Sequence, residues 1–236
     1  MRTSFKFLII MLLLLAFGAL ILSSEFFSIK DIYVLGNNKV LKSNIISSSK
    51  IQYGQNIFRI NKKSIMRGIF EDPRIKGVRV KRTLPSSIYL DVIEREVVAL
   101  IPYLGSFLNI DDEAVITEIT DIEGQREAPI VEGLEFNDFK IGEALEIENL
   151  EGLDVALKVV SALQHSKLHE ETISVNIEDL DSIVITTRTG IRIYICDNKI
   201  DYRIQMAKEI VEDLLKSNEM GIIDMRHDGN PIFKRD

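Results

Sequence analysis

The stretch Phe5–Leu22 constrains this 236-residue chain more than any other. It is apolar apart from Lys6, Gly18 and the two alanines Ala16 and Ala19. As an α-helix its 18 residues span about 27 Å, close to the thickness of bilayer hydrocarbon. A helix satisfies its own backbone groups, which lipid cannot do for it. Arg2 and Lys6 stand at its start and Glu25 just beyond its end. Positive charge stays cytoplasmic, so the expectation is a single-pass anchor with its N-terminus inside and the remaining chain outside. A cleaved signal peptide is the competing reading. The hydrophobic run is long for one, and the exit from Ile21 to Phe27 lacks a small-x-small cleavage site.

The remaining residues suit a globular body. Hydrophobic content is 46% and charged content 28%, with no low-complexity tract and no repeat at solenoid periods. The net charge of −7 conceals an asymmetry. Glu25–Glu96 holds 14 Lys/Arg against 7 Asp/Glu, a balance of +7, whereas Val97–Asp236 holds 13 against 29, a balance of −16. The first part suits the neighbourhood of anionic lipid and the second suits solvent or basic partners. Nucleic acid is not an expected partner, because the basic residues are not interleaved with aromatics and the chain is acidic. Cys196 is the one cysteine, so no intramolecular disulfide forms, and its setting between Ile195 and Asp197 reads as a small buried hydrophobe.

Two patterns follow the anchor. Ile29–Leu35 reads as a strand ended by Gly36-Asn37-Asn38. Ser43–Ser49 is a short helix, and Asn61 caps a second that runs through Phe70, with Ile65, Ile69 and Phe70 at helical spacing. Val78 and Val80 then alternate with Arg79 and Lys81, and Ile88, Leu90 and Val92 alternate with Tyr89 and Asp91. The order strand, helix, helix, strand, strand allows the helices to cover one face of a three-stranded sheet.

After Glu96 short strands are expected at Val97–Ile101, Phe107–Ile110, Val115–Ile119, about Ile130, Ile173–Ile177, Ile183–Thr187, Ile191–Ile195 and Ile222–Arg226. Asp111-Asp112-Glu113 reads as a solvated turn. A helix over Leu150–Ser166 carries the stripe Leu153, Ala156, Leu157, Val160 and Leu163. A second, over Lys199–Lys216, carries Ile200, Ile204, Ala207, Val211 and Leu214, with Asn198 as its cap and a Glu212–Lys216 ion pair.

Catalytic signatures are missing. There is no Walker A loop, no G-x-G-x-x-G and no G-x-S-x-G elbow. Ser47–Lys50 has S-x-x-K spacing but no S-D-N or K-T-G companion, and reads as a polar helix end. His165 and His169 are four apart, but Ser166 stands where a zinc protease would place Glu, so they read as helix-end histidines. No catalytic, cofactor or metal site is expected.

Several segments together resemble one family. Ile29–Asn37 is similar to the opening strand of a POTRA domain. Gly54-Gln-Asn-Ile-Phe58 is similar to its step between the helices. Pro73 through Val78, Val80, Arg82, Leu84, Pro85 and Ile88 is similar to its hairpin, and Glu94–Ala99 to its exit. With the anchor, this resembles the FtsQ/DivIB cell-division family. Leu108–Val115, with Ala114 where glycine is usual, and Gly221–Arg226 are similar to two further family segments. The resemblance implies an α+β chain: a single N-terminal transmembrane helix, a POTRA domain (β-α-α-β-β), then a mainly antiparallel β-sheet domain with two helices. The implied boundaries are 1–24 for stub and anchor, 25–96 for the POTRA domain, 97–226 for the β domain and 227–236 for a tail.

A division scaffold works by surface recognition, and an unpaired sheet edge offers backbone groups to a partner strand. The resemblance implies that the last strand docks FtsB/DivIC, which pairs with FtsL, the three acting on the septal peptidoglycan synthase. The expected docking residues are Ile222, Ile223, Asp224, Met225 and Arg226 as an open edge, with Arg226 free for acidic side chains and Phe233 as an apolar anchor. A second surface is expected on the POTRA edge at Val78, Val80 and Arg82. Two other readings stand beside this one: a POTRA protein handling polypeptides in secretion or membrane assembly, and a membrane-anchored hydrolase.

Overall fold

A computed structural model describes residues 2–121, 128–147 and 149–235 of the chain. It divides into two units, Met1–Arg95 and Glu96–Asp236.

The first unit begins with helix α1, Arg2–Leu22. Its Phe5–Leu22 window has a mean hydropathy of 2.8 and is nowhere buried, so it is long and apolar enough to cross a membrane. A short 3₁₀ turn, Glu25–Phe27, leads to β1 (Asp31–Leu35), α2 (Lys42–Ser49), α3 (Lys62–Ile69), β2 (Ile75–Thr83) and β3 (Ser87–Glu94). The sheet order is β1-β3-β2, with β1 parallel to β3 and β2–β3 an antiparallel hairpin. Ile32 and Val34 on β1, Val80 on β2 and Ile88, Leu90 and Val92 on β3 turn toward Ile45 of α2 and Ile65 and Ile69 of α3, all buried. Removing such a side chain from water is worth about 1.5–3 kcal/mol. The Asn61 side chain accepts from the backbone N–H groups of Lys63 and Ser64, capping α3 as its sequence position suggests. Gly68 lets α2 and α3 meet closely: a Cβ there would lie 2.1 Å from the Ser48 carbonyl oxygen.

Glu94, at the end of β3, ties the β1–α2 connection down. Its carboxylate accepts from the backbone N–H groups of Asn38 and Lys39 at 2.8 Å and of Val40 at 3.0 Å. Burial opposes its charge, but these three donors outweigh that and hold the carboxyl below its usual range. Glu94→Gln keeps the shape but weakens three charge-assisted bonds. It is expected to lower the stability of this unit by about 1–2 kcal/mol and to speed amide exchange at Asn38–Val40.

The second unit contains β4 (Ala99–Tyr103), β5 (Ser106–Ile110), β6 (Ile116–Thr120), β7 (Ile130–Glu132), α4 (Leu150–Ser166), β8 (Thr172–Asn176), β9 (Ile183–Thr187), β10 (Arg192–Ile195), α5 (Ile200–Ser217), β11 (Gly221–Asp224) and β12 (Ile232–Arg235). The nine strands form one sheet ordered β12-β11-β10-β9-β8-β7-β4-β5-β6. Five of its ladders are antiparallel; β10–β11, β4–β7 and β7–β8 are parallel. Helices α4 and α5 share one core with the sheet. Val159, Val160 and Leu163 from α4 and Ile204, Ala207 and Val211 from α5 are buried with Leu108, Val175, Ile185, Ile193 and Ile223. This is the α+β architecture that the sequence patterns imply.

Three local expectations are corrected. Asp111 is fully buried rather than solvated. Its Oδ1 accepts from the N–H of Val115 at 2.8 Å and of Glu113 at 3.0 Å, because the tight turn aims two backbone donors at it. Asn198 does not cap α5. The cap is Lys199, in the left-handed region with no side-chain hydrogen bond, and Asn198 instead accepts from Arg203. Lys216 pairs with Asp213 at 3.0 Å, and Glu212 pairs with Lys208 at 3.3 Å, so the expected Glu212–Lys216 pair does not form. Cys196 is buried, as expected, and its Sγ donates to the Arg226 carbonyl at 3.1 Å.

Candidate protein-docking edge

The last strand of the sheet is not the one that the sequence points to. Ile222–Arg226 is expected to be an open edge, but β11 is flanked on both sides. It runs parallel to β10, with Arg192↔Ile222 and Tyr194↔Asp224 in register, and antiparallel to β12. The β12 register is Gly221↔Arg235, Ile222↔Lys234, Ile223↔Phe233 and Asp224↔Ile232. Most of the segment expected to be a tail, 227–236, is therefore a turn and an edge strand; Asp236 lies outside the described residues.

Gly221 makes this pairing close. A Cβ at Gly221 would lie 2.1 Å from the Lys234 carbonyl oxygen, so only glycine admits the returning strand. Side chains then sort by the pleat. Ile223 is fully buried, and its cross-strand partner Phe233 is half-buried against the same core. Ile232 and Lys234 are exposed, beside the half-buried Ile222 and Asp224. Met225 is buried and contributes no exposed surface.

Arg226 is not free for a partner. Its Nε donates to Asp224 Oδ1 at 3.0 Å and its Nη2 to Asp224 Oδ2 at 2.6 Å, a bidentate pair. Its Nη1 reaches Ser182 Oγ at 3.2 Å, and the guanidinium carbon lies 5.2 Å from the centre of the Tyr194 ring. The hydrogen bond from Arg226 pulls the Asp224 carboxyl down to about 2, against the opposing effect of burial. A carboxyl with a depressed folded-state pKa adds stability above its unfolded value, 3.8, and loses it as pH falls toward about 2. The Asp224 carboxylate ¹³C resonance is thus expected to stay in its ionised position from neutral pH down to pH 4 and to move only below that. In Arg226→Ala its midpoint should return toward the ordinary aspartate value.

A second cation holds the turn between β11 and β12. Arg203 on α5 is 4% exposed. It donates to the Asn198 carbonyl at 3.0 Å, to Asn198 Oδ1 at 2.8 Å and to the His227 carbonyl at 3.1 Å. Asp228 receives Lys199 at 2.9 Å and lies 3.7 Å from Arg203. Lys199, Arg203, His227 and Asp228 line a cleft of about 370 Å³ with Tyr202, Met206 and Met225. Arg203 sits on the expected apolar stripe of α5, and its spacing alone does not mark it as a clamp. The Asn198–Asp228 grouping depends on the turn and is invisible in sequence.

The other expected surface divides in two. Strand β2 is at the edge of its sheet. The side chains of Val78 and Val80 turn inward, and Arg82 donates to the Ile60 carbonyl at 2.5 Å, so only the backbone edge and the outward Arg79 and Lys81 face away. Among the described residues no group of three or more His, Cys, Asp or Glu gathers to hold a metal. His165 ends α4 beside Ser161, while His169 lies in the following 3₁₀ turn.

Comparison with known proteins agrees with this geometry. Residues 27–95 match the family model "POTRA domain, FtsQ-type". The chain is 29% identical over 216 residues to the cell division protein DivIB of Clostridium botulinum, covering 91% of this chain and 84% of that protein. It is 27% identical over 210 residues to DivIB of Clostridium tetani, covering 88% and 79%. It is also 23% identical over 187 residues to the cell division protein FtsQ of Syntrophotalea carbinolica, covering 79% and 63%. The first unit thus matches a POTRA domain of FtsQ type, and the chain, with its apolar N-terminal helix, resembles the DivIB cell-division proteins over nearly its full length.

Proposed function

We propose that the chain is a non-enzymatic scaffold of the division machinery, held in the plasma membrane by α1 with both folded units outside, and that it captures FtsB/DivIC, with FtsL, by strand addition to β12. The captured pair links it to the septal peptidoglycan synthase. The observation that carries this reading is the end of the nine-stranded sheet. Among the described residues, nothing pairs with the outer side of Ile232–Arg235. The opposite end is partly covered: the Ile116 N–H donates to the Glu143 carbonyl, and the Gly142 N–H donates to the Ile116 carbonyl. An edge strand exposes alternate N–H and C=O groups, and a partner strand laid on β12 would meet Ile232 and Lys234 on one face and Phe233 on the other. The β2 edge of the first unit, Val78–Arg82, is a second docking strand through its backbone rather than its inward side chains.

A functional fluorescent fusion, imaged in a strain in which the protein is depleted on demand, tests the role. The expected result is mid-cell bands and filamentous cells on depletion. A uniform membrane signal with normal septation contradicts it, and favours polypeptide handling in secretion or a hydrolytic role.

A further inference from the structure

Asparagine 56 joins the first unit to the end of its anchor. Asn56 Nδ2 donates to the Leu22 carbonyl, the last of α1, at 2.7 Å, while its Oδ1 accepts from the Phe58 N–H at 2.9 Å. The segment leaving the helix is stitched to the same loop by backbone bonds. Ile57 donates to the Phe27 carbonyl at 2.9 Å, Ile29 to the Gln55 carbonyl at 2.9 Å, and Gly54 to the Ile29 carbonyl at 2.8 Å. The α2–α3 loop therefore sits at the level of the helix end by hydrogen bonding, not by a loose tether. Leu22 closes the apolar window, so this level is where hydrocarbon gives way to headgroups.

The loop has the composition that suits that zone. Phe26, Tyr53 and Phe58 are 62%, 61% and 40% exposed. Phe27 bridges two of them, with ring centres 5.0 Å from Phe26 and 5.1 Å from Phe58. Large aromatics left in water are unfavourable, and at a bilayer interface they are favoured. Arg59, Lys62 and Lys63 follow and are exposed. Ile51–Phe70 holds four basic residues and no acidic one. An aromatic cluster beside a basic run, fixed at the mouth of an apolar helix, is complementary to an anionic bilayer surface.

We infer that the Tyr53–Lys63 loop lies on the membrane surface beside the anchor and binds anionic lipid headgroups, Phe26, Tyr53 and Phe58 entering the interface and Arg59, Lys62 and Lys63 facing the headgroups. The inference rests on the reading that α1 spans a membrane, and the test separates the two. The chain contains no tryptophan, so introduced indoles report without background. The full chain is reconstituted in vesicles of phosphatidylethanolamine and phosphatidylglycerol that contain lipid brominated either near the headgroup or deep in the acyl chain. Four single variants are compared: F17W within α1, Y53W and F58W in the loop, and I93W. Ile93 is exposed and lies about 20 Å along β3 from Ser87, which pairs with Asp31 at the start of β1.

The expected result is strong quenching of F17W by deep bromine, and quenching of Y53W and F58W by headgroup-level bromine several-fold above I93W. Adding R59E, K62E and K63E to F58W, or replacing phosphatidylglycerol by phosphatidylcholine, should bring that quenching close to the I93W level. Loop indoles quenched no more than I93W, with F17W still quenched, overturn the inference and leave the anchor intact. Quenching of F58W that is indifferent to lipid charge and to the three glutamates overturns the anionic-lipid assignment. An unquenched F17W overturns the anchor reading, and this inference with it.

Discussion

Replacing Gly221 by alanine is expected to detach β12 from the sheet and abolish capture of FtsB/DivIC, while the rest of the second unit stays folded. The added Cβ would stand 2.1 Å from the Lys234 carbonyl oxygen and 3.0 Å from the Arg235 Cα, both backbone atoms that cannot swing aside. Gly221 also has φ +154°, where a side chain is strained. Backbone shifts forced by overpacking cost about 1–3 kcal/mol, and strain adds about 1–3 more. The ladder holding β12 spans four residue pairs, and Ile232 and Lys234 are exposed, so there is little to offset such a loss. The measurement is partner binding together with amide exchange along Ile232–Arg235. Wild-type binding by G221A would mean that β12 is not the docking strand.

Arg203→Ala should be the second most damaging change. It leaves the Asn198 carbonyl, Asn198 Oδ1 and the His227 carbonyl without their shared donor. Hydrogen bonds to a charged group are worth about 1.5–3 kcal/mol, and orphaned acceptors at the mouth of the cleft recover part of that from water. A loss of about 2–4 kcal/mol in the unfolding free energy of the second unit is expected. The turn Met225–Pro231 should exchange amides faster, and partner affinity should fall because the edge is less ordered. Arg203→Lys keeps the charge but not the planar fork, so it should recover only part of the loss. A variant as stable as wild type, with an unchanged turn, would show that the clamp is not what holds the hairpin.

The limits of sequence reading lie in the same residues. The strand–helix–helix–strand–strand order of the first unit is legible because period-2 alternation at Ile88, Leu90 and Val92 and the Asn61 cap are local signals. The core stripes of α4 and α5 are legible for the same reason. β12 is not, because only Ile232 and Phe233 of its four residues are apolar and Pro231 precedes them. Without β12, β11 looks like the open edge. Arg226 looks free because its carboxylate partner is two residues away in the chain, a spacing that faces one side of a strand but carries no helical or capping signature. Asn198 has the chemistry of a cap but lies one residue too early, and is drawn to Arg203 instead. The glycine usual at position 114 has a physical reason: Ala114 has φ +59°, a backbone state that glycine adopts freely. Glu94, seen in sequence only as part of an exit motif, proves to hold three backbone donors.

Amide hydrogen exchange of the full chain, alone and with purified FtsB/DivIC–FtsL, is the most direct test of the β12 edge. Strand addition predicts that amides within Ile232–Arg235 exchange rapidly in the free protein and become protected in the complex, with little change at β6. Unchanged exchange along β12, with protection appearing on another face, would contradict strand addition as the mode of capture.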